Sequence, residues 1–214
     1  MKLKKYSIFY FSLFLVIFMN LYSVVINLFF SNTITYLSIY LIYWFVFCVP
    51  LSALYLKGNK ISDLFTVKTK SKFSLIYCLI AFLPCILSFF AVFTNTVSKA
   101  PWQAFLLALL FAVINSLVEE VYWRGVFVKI YDKNILLSYI LPTVVFSLWH
   151  SSLYFSKNIN YEGGIPALVG SALIMGAAWG FSAFKLKSIK YTVISHFLAN
   201  FFAFSGLIYE TWFK

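Results

Sequence analysis

Residues 102–128 read WQAFLLALLFAVINSLVEEVYWRGVFV. The first seventeen positions of this run, Trp102 to Val118, hold no charged residue. A helix rises about 1.5 Å per residue, so roughly 20 such residues cross the hydrocarbon core of a bilayer. Glu119, Glu120 and Arg124 then break the apolar text. An ionisable group at membrane depth costs a few kcal/mol, so it faces a protein interior or water and has a function. The stretch therefore asks for two things together: a membrane span, and a polar interior for that span to face.

The rest of the chain agrees. Of its 214 residues 63% are hydrophobic and 22% aromatic, and 11% are charged, against about 25% charged in a soluble domain. Apolar runs predict spans at 7–30, 34–56, 73–93, 102–128, 135–155, 166–184 and 189–209. The expected fold is all-α: a polytopic membrane helical bundle of about seven transmembrane helices, forming one membrane domain over residues 1–214. Lys2, Lys4 and Lys5 resemble the basic start of a signal peptide. The apolar stretch from Tyr6 to Phe30 is too long for that, and no small-x-small cleavage site follows it, so it reads as the first span.

Loop charges orient the bundle, because cytoplasmic loops carry the excess of Lys and Arg. With a cytoplasmic N-terminus, the inner segments hold Lys2, Lys4 and Lys5; Lys57, Lys60, Lys68, Lys70 and Lys72; Arg124, Lys129 and Lys133; and Lys185, Lys187 and Lys190. The outer ones hold Lys99, Lys157 and Lys214. Fourteen of the 17 basic residues thus fall on one side. The net charge of +11 is spread over these short loops, which argues against a nucleic-acid partner. Cys48, Cys78 and Cys85 lie in apolar runs and read as packing residues, with no disulfide framework or thiol metal site.

With loop charges set aside, the ionisable residues inside apolar runs are Glu119, Glu120, Arg124, His150 and His196, the last two being the chain's only histidines. Glu120 and Arg124 are four apart and can pair on one helix face. Glu119 stands about 100° round an α-helix from Glu120, so the two carboxylates need not share a job. Phe146 and His150, and His196 and Asn200, are also four apart. Glu119 and His196 come out at similar depth. His150 joins them if Pro142 opens its helix near Leu141, leaving 129–140 as an interfacial connector. Gly163, Gly164 and Pro166 mark a loop before the sixth span. Gly170, Gly176 and Gly180 allow that span to pack closely.

These residues carry a resemblance. Glu119-Glu120-Val121-Tyr122-Trp123-Arg124 fits EExxxR, followed by Gly125; Phe146 to His150 fits FxxxH; His196 to Asn200 fits HxxxN. In this order, on successive apolar segments, they resemble the CAAX protease and bacteriocin-processing (CPBP, or Abi) family, which includes the type II CAAX prenyl endopeptidases. The resemblance covers about residues 100–205. Residues 1–95 are similar only as generic membrane spans. It implies intramembrane cleavage of a peptide bond in a membrane protein or peptide. By motif, Glu119 would activate the attacking water; His150, His196 and Asn200 would hold or polarise the substrate carbonyl or the water; Glu120 and Arg124 would support Glu119.

Amide hydrolysis needs a base for water and a donor at the developing oxyanion, and these residue types supply both. A divalent metal is the alternative, since two His and one Glu form a catalytic zinc set. There is no HExxH, and one carboxylate does not readily serve as both ligand and base; two adjacent carboxylates could divide those roles, and direct glutamate catalysis is the slightly favoured reading. Two other functions compete: a non-catalytic bacteriocin self-immunity or interaction protein, which would not need the intact Glu/His set, and a transporter, for which inverted repeats and broken helices are expected and not seen. Lys-, Ile-, Asn- and Phe-rich usage points to a bacterial cytoplasmic membrane.

Overall fold

The computed structural model describes residues 2–69, 72–156, 161 and 163–214, with the side chains of all these except 2–5 and 32. Lys70 and Lys157, counted above among the loop charges, lie outside the described residues, as do the side chains of Lys2, Lys4 and Lys5.

Seven helices are long and apolar enough to cross a membrane: α1 (Tyr6–Ile26), α2 (Thr33–Tyr55), α3 (Ser74–Thr96), α4 (Trp102–Tyr131), α5 (Leu136–Tyr154), α6 (Gly164–Leu186) and α7 (Lys190–Phe213). No strand occurs among the described residues. This is the expected all-helical bundle. Its outer surface is apolar, with Tyr10, Phe29, Leu28, Leu75, Trp102 and Phe90 each more than 65% exposed. Water would not tolerate such a belt, whereas lipid is its natural solvent.

Helix α4 is the central element and packs most extensively on α7; α3 lies against both α6 and α7, and α5 sits between α1 and α6. Small residues make the close approach possible. Ala104, Ala108 and Ala112 are fully buried at four-residue spacing, and the same stripe continues through Ser116 to Glu120. Gly176 and Gly180 play the expected part in α6. A Cβ at Gly176 would meet the Phe146 ring at 2.9 Å, and one at Gly180 would meet Thr143 Oγ1 at 2.8 Å. Gly170 does not: nothing lies within 4 Å of its virtual Cβ, because the outer part of α6 stands off from its neighbours.

The fifth helix corrects one expectation. It starts at Leu136, not near Leu141, so no connector spans 129–140; α4 itself runs on to Tyr131. Pro142 stands inside α5, immediately after a π-wound turn at Leu136–Ile140. The change from π to α winding already interrupts the backbone ladder, so the missing N–H of proline breaks nothing further. At the end of the bundle bearing these turns, a short 3₁₀ turn, Ile61–Leu64, tucks under the α6–α7 connection. Leu64 O accepts from Ile189 N (2.8 Å) and from Ser188 Oγ (3.0 Å). The three cysteines are free thiols, Cys48 and Cys85 buried and Cys78 partly so.

Candidate active site

Glu119 is the last α-wound residue of its helix before a π-wound stretch, Glu120–Val126. A π turn closes on the fifth residue rather than the fourth, so each residue rotates less about the axis. Both carboxylates reach His196, each at a different nitrogen of its ring. His196 Nδ1 is 2.9 Å from Glu120 Oε1, and its Nε2 is 3.4 Å from Glu119 Oε2. All three side chains are essentially sealed from solvent, as is Arg124.

The four groups are held from several helices. Arg124 Nη1 lies 3.0 Å from Glu120 Oε1, the expected one-turn pair. Its guanidinium sits 4.1 Å from the Phe146 ring centroid on α5, a cation–π contact that needs no water. The imidazole of His196 stacks on Trp179 of α6, with centroids 3.9 Å apart and planes 18° from parallel. Trp179 is tied in turn, its Nε1 donating to Ser195 Oγ (3.1 Å). On the other side, Asn115 Nδ2 donates to Glu119 Oε2 (3.0 Å) and Asn115 Oδ1 accepts from Trp44 Nε1 of α2 (2.8 Å). Arg124 thus belongs to the site and not to the inner loops, which leaves thirteen loop charges on that side instead of fourteen.

A cavity of about 820 Å³ reaches this cluster, with Glu119, His150, His196 and Asn200 in its wall. His150 shares that wall with Glu119 and His196. Its Nδ1 is 2.9 Å from Phe146 O, the carbonyl one turn back. A carbonyl only accepts, so Nδ1 carries the proton there and the neutral ring offers Nε2 as an acceptor. Two buried atoms of cavity-wall residues make no well-formed hydrogen bond, Glu119 Oε1 and Asn200 Nδ2, and the Tyr43 hydroxyl lies beside Glu119. One is an acceptor and the other a donor.

No set of three His, Cys, Asp or Glu residues converges as a metal-binding group among the described residues. Nδ1 of each histidine is engaged, by Glu120 and by Phe146 O, which fixes the ring orientation and leaves each Nε2 turned to other partners.

Several contributors were not legible as site residues. Asn115 is one turn before Glu119, and that spacing alone could have pointed to it. Trp179 and Trp44 sit in no motif; their roles depend on which helices neighbour α4 and α7.

All three motifs fall inside residues 101–202, the stretch that matches a family model described as Rce1-like, type II CAAX prenyl endopeptidase. Comparison with curated proteins and with solved structures gave no match. The half of the chain that builds this site is thus similar to the Rce1-like type II CAAX prenyl endopeptidases, a family of membrane proteases.

Proposed function

We propose that this protein is an intramembrane endopeptidase that hydrolyses a peptide bond of a membrane-associated protein or peptide, in a bacterial cytoplasmic membrane, with Glu119 as the base. The observation that carries the reading is the pair of buried atoms without a well-formed hydrogen bond in residues of one cavity wall, Glu119 Oε1 and Asn200 Nδ2. A buried carboxylate oxygen can take the proton of an attacking water. A buried amide N–H can donate to the oxyanion that forms. The other Glu119 oxygen is anchored by Asn115.

The remaining residues take roles that follow from their partners. His150 offers an unprotonated Nε2, so it orients water by accepting a hydrogen bond; it donates to an oxyanion only as imidazolium. Glu120, Arg124 and His196 form the support. Two carboxylates and one guanidinium leave one negative charge in a buried site. Charge balance is reached when one proton is shared between His196 and Glu119, whose atoms stand 3.4 Å apart. The catalytic cycle then runs as follows. Glu119 receives the water proton as the hydroxide oxygen bonds to the carbonyl carbon. The C–N bond breaks, and the same proton passes to the leaving nitrogen.

Comparative peptidomics of cells carrying wild-type protein or Glu119→Gln tests this. The substitution is nearly isosteric and removes the base. Peptide termini present with the wild type and missing with Glu119→Gln are expected. Identical termini in both, at equal protein levels, would sink the assignment.

A further inference from the structure

Position along the bundle is the observation with a consequence for the substrate. The cavity does not run through the protein. It begins at Glu119 and His196, near mid-span, and continues to one end only, where Asn95, Thr96, Glu210, Thr211 and Lys214 form its rim. These are the last turns of α3 and α7 and the residue after α7. The opposite end of the bundle carries the Lys-rich segments around 57–69, 129–133 and 185–190, and there the helices are closed. Tyr77 of α3 meets Phe181 of α6 edge-on at 5.8 Å, and Ser195 of α7 donates to Ala81 O of α3. Moving toward the rim, α3 and α6 separate. Ala91 and Asn95 stand on one side of the cavity, and Leu168 and Ser171 on the other. A separate hollow of about 460 Å³ at the Lys-rich end is lined by Lys68, Lys129, Asp132 and Lys187 among others, and shares no wall residue with the larger one.

Basic loops mark the cytoplasmic face of a membrane protein. The cavity mouth is at the other face. We infer that the site is served from the extracytoplasmic side, through the gap between the outer halves of α3 and α6, and that its substrates are apolar peptide segments lying in the outer leaflet or delivered from outside, not the cytoplasmic tails of lipid-modified proteins. The lining suits such a segment: Tyr36, Tyr40, Leu168, Met175 and Phe204 are apolar or amphipathic. The volume lies within the roughly 300–1,000 Å³ of sites that enclose a ligand.

This substrate class rests on the endopeptidase reading, and two measurements separate the two. In protein whose native cysteines are replaced, single cysteines are placed in the cavity (Ser171→Cys, Ala203→Cys) and at the Lys-rich end (Asn59→Cys). A charged, membrane-impermeant thiol reagent is then added to intact cells. The cavity positions are expected to react, and position 59 only after permeabilisation. The reverse pattern would overturn the inference. The second measurement maps the bonds whose cleavage depends on Glu119 onto the topology of the cut proteins. Cuts in the outer half of a span or beyond it support the inference; cuts in cytoplasmic tails overturn it and leave the protease reading standing. If no cut depends on Glu119, the protease reading falls and the substrate class with it, while the labelling still reports which face the mouth is on.

Discussion

Glu119 and Glu120 are adjacent in the chain and sit in opposite surroundings. Glu120 is bound on one oxygen by both Arg124 and His196, whereas Glu119 accepts from Asn115 and belongs to the cavity wall. The two should therefore respond differently to the same change. Glu120→Gln leaves the buried guanidinium of Arg124 without its counter-charge. Breaking a buried pair from one side costs on the order of 3 kcal/mol, which for a chain of this size lowers Tm by roughly 5–10 °C. Thermal unfolding in detergent should show that drop for Glu120→Gln, and a Tm near wild type for Glu119→Gln. Equal losses in both would contradict the division of labour.

The histidines make a second test at the same scale. Direct glutamate catalysis expects purified protein to be insensitive to chelators, and His150→Ala, His196→Ala and Asn200→Ala each to slow turnover with no change in metal content. Elemental analysis alongside activity checks this. Stoichiometric zinc that disappears in both histidine variants and persists in Asn200→Ala would replace the present mechanism with a metal-based one, since Asn is a poor zinc ligand.

Among the elements, α6 does most to shape the site although it supplies none of the motif residues. Its inner half lies against α5 with no room to spare: the Gly176 position sees Phe146 at 2.9 Å and Arg124 Nη2 at 3.2 Å. Its outer half forms one side of the cavity mouth. Gly176→Leu should force Phe146 and Arg124 out of place, lowering stability by about 1–3 kcal/mol and abolishing activity. Gly170→Ala meets nothing, so it should be neutral or raise stability by about 0.5–1 kcal/mol through helix propensity. Paired melting curves decide it. A neutral Gly176→Leu would mean that α6 does not pack as described.

At the scale of the whole molecule, the thirteen inner loop charges against Lys99, Lys157 and Lys214 set the orientation. A reporter active only outside the cytoplasm, fused after Lys214, should be functional, and a reporter that works only inside should be silent there. Replacing Lys57, Lys60, Lys68 and Lys72 with Gln removes much of the bias and should give a mixed population with both reporters partly active. A silent external reporter on the unaltered chain would invert the bundle, and with it the side from which the cavity opens.

The apolar runs of this sequence determined the seven spans by themselves. Crossing a bilayer takes about 20 apolar residues in helix, and length and composition are local properties. The basic loops likewise carried the expected orientation, and Glu119, Glu120, Arg124, His150, His196 and Asn200 stood out as polar groups where the solvent is hydrocarbon. Other features were decided only when the helices met. That both neighbouring glutamates would reach one imidazole depended on where α7 sets His196 against α4, for which the sequence has no marker. Which tryptophans would clamp the site depended on α2 and α6 being the neighbours of α4 and α7. Above all, the end at which the cavity opens was a matter of where α3 and α6 part, and that is set by packing between elements about ninety residues apart in the chain, which no local pattern records.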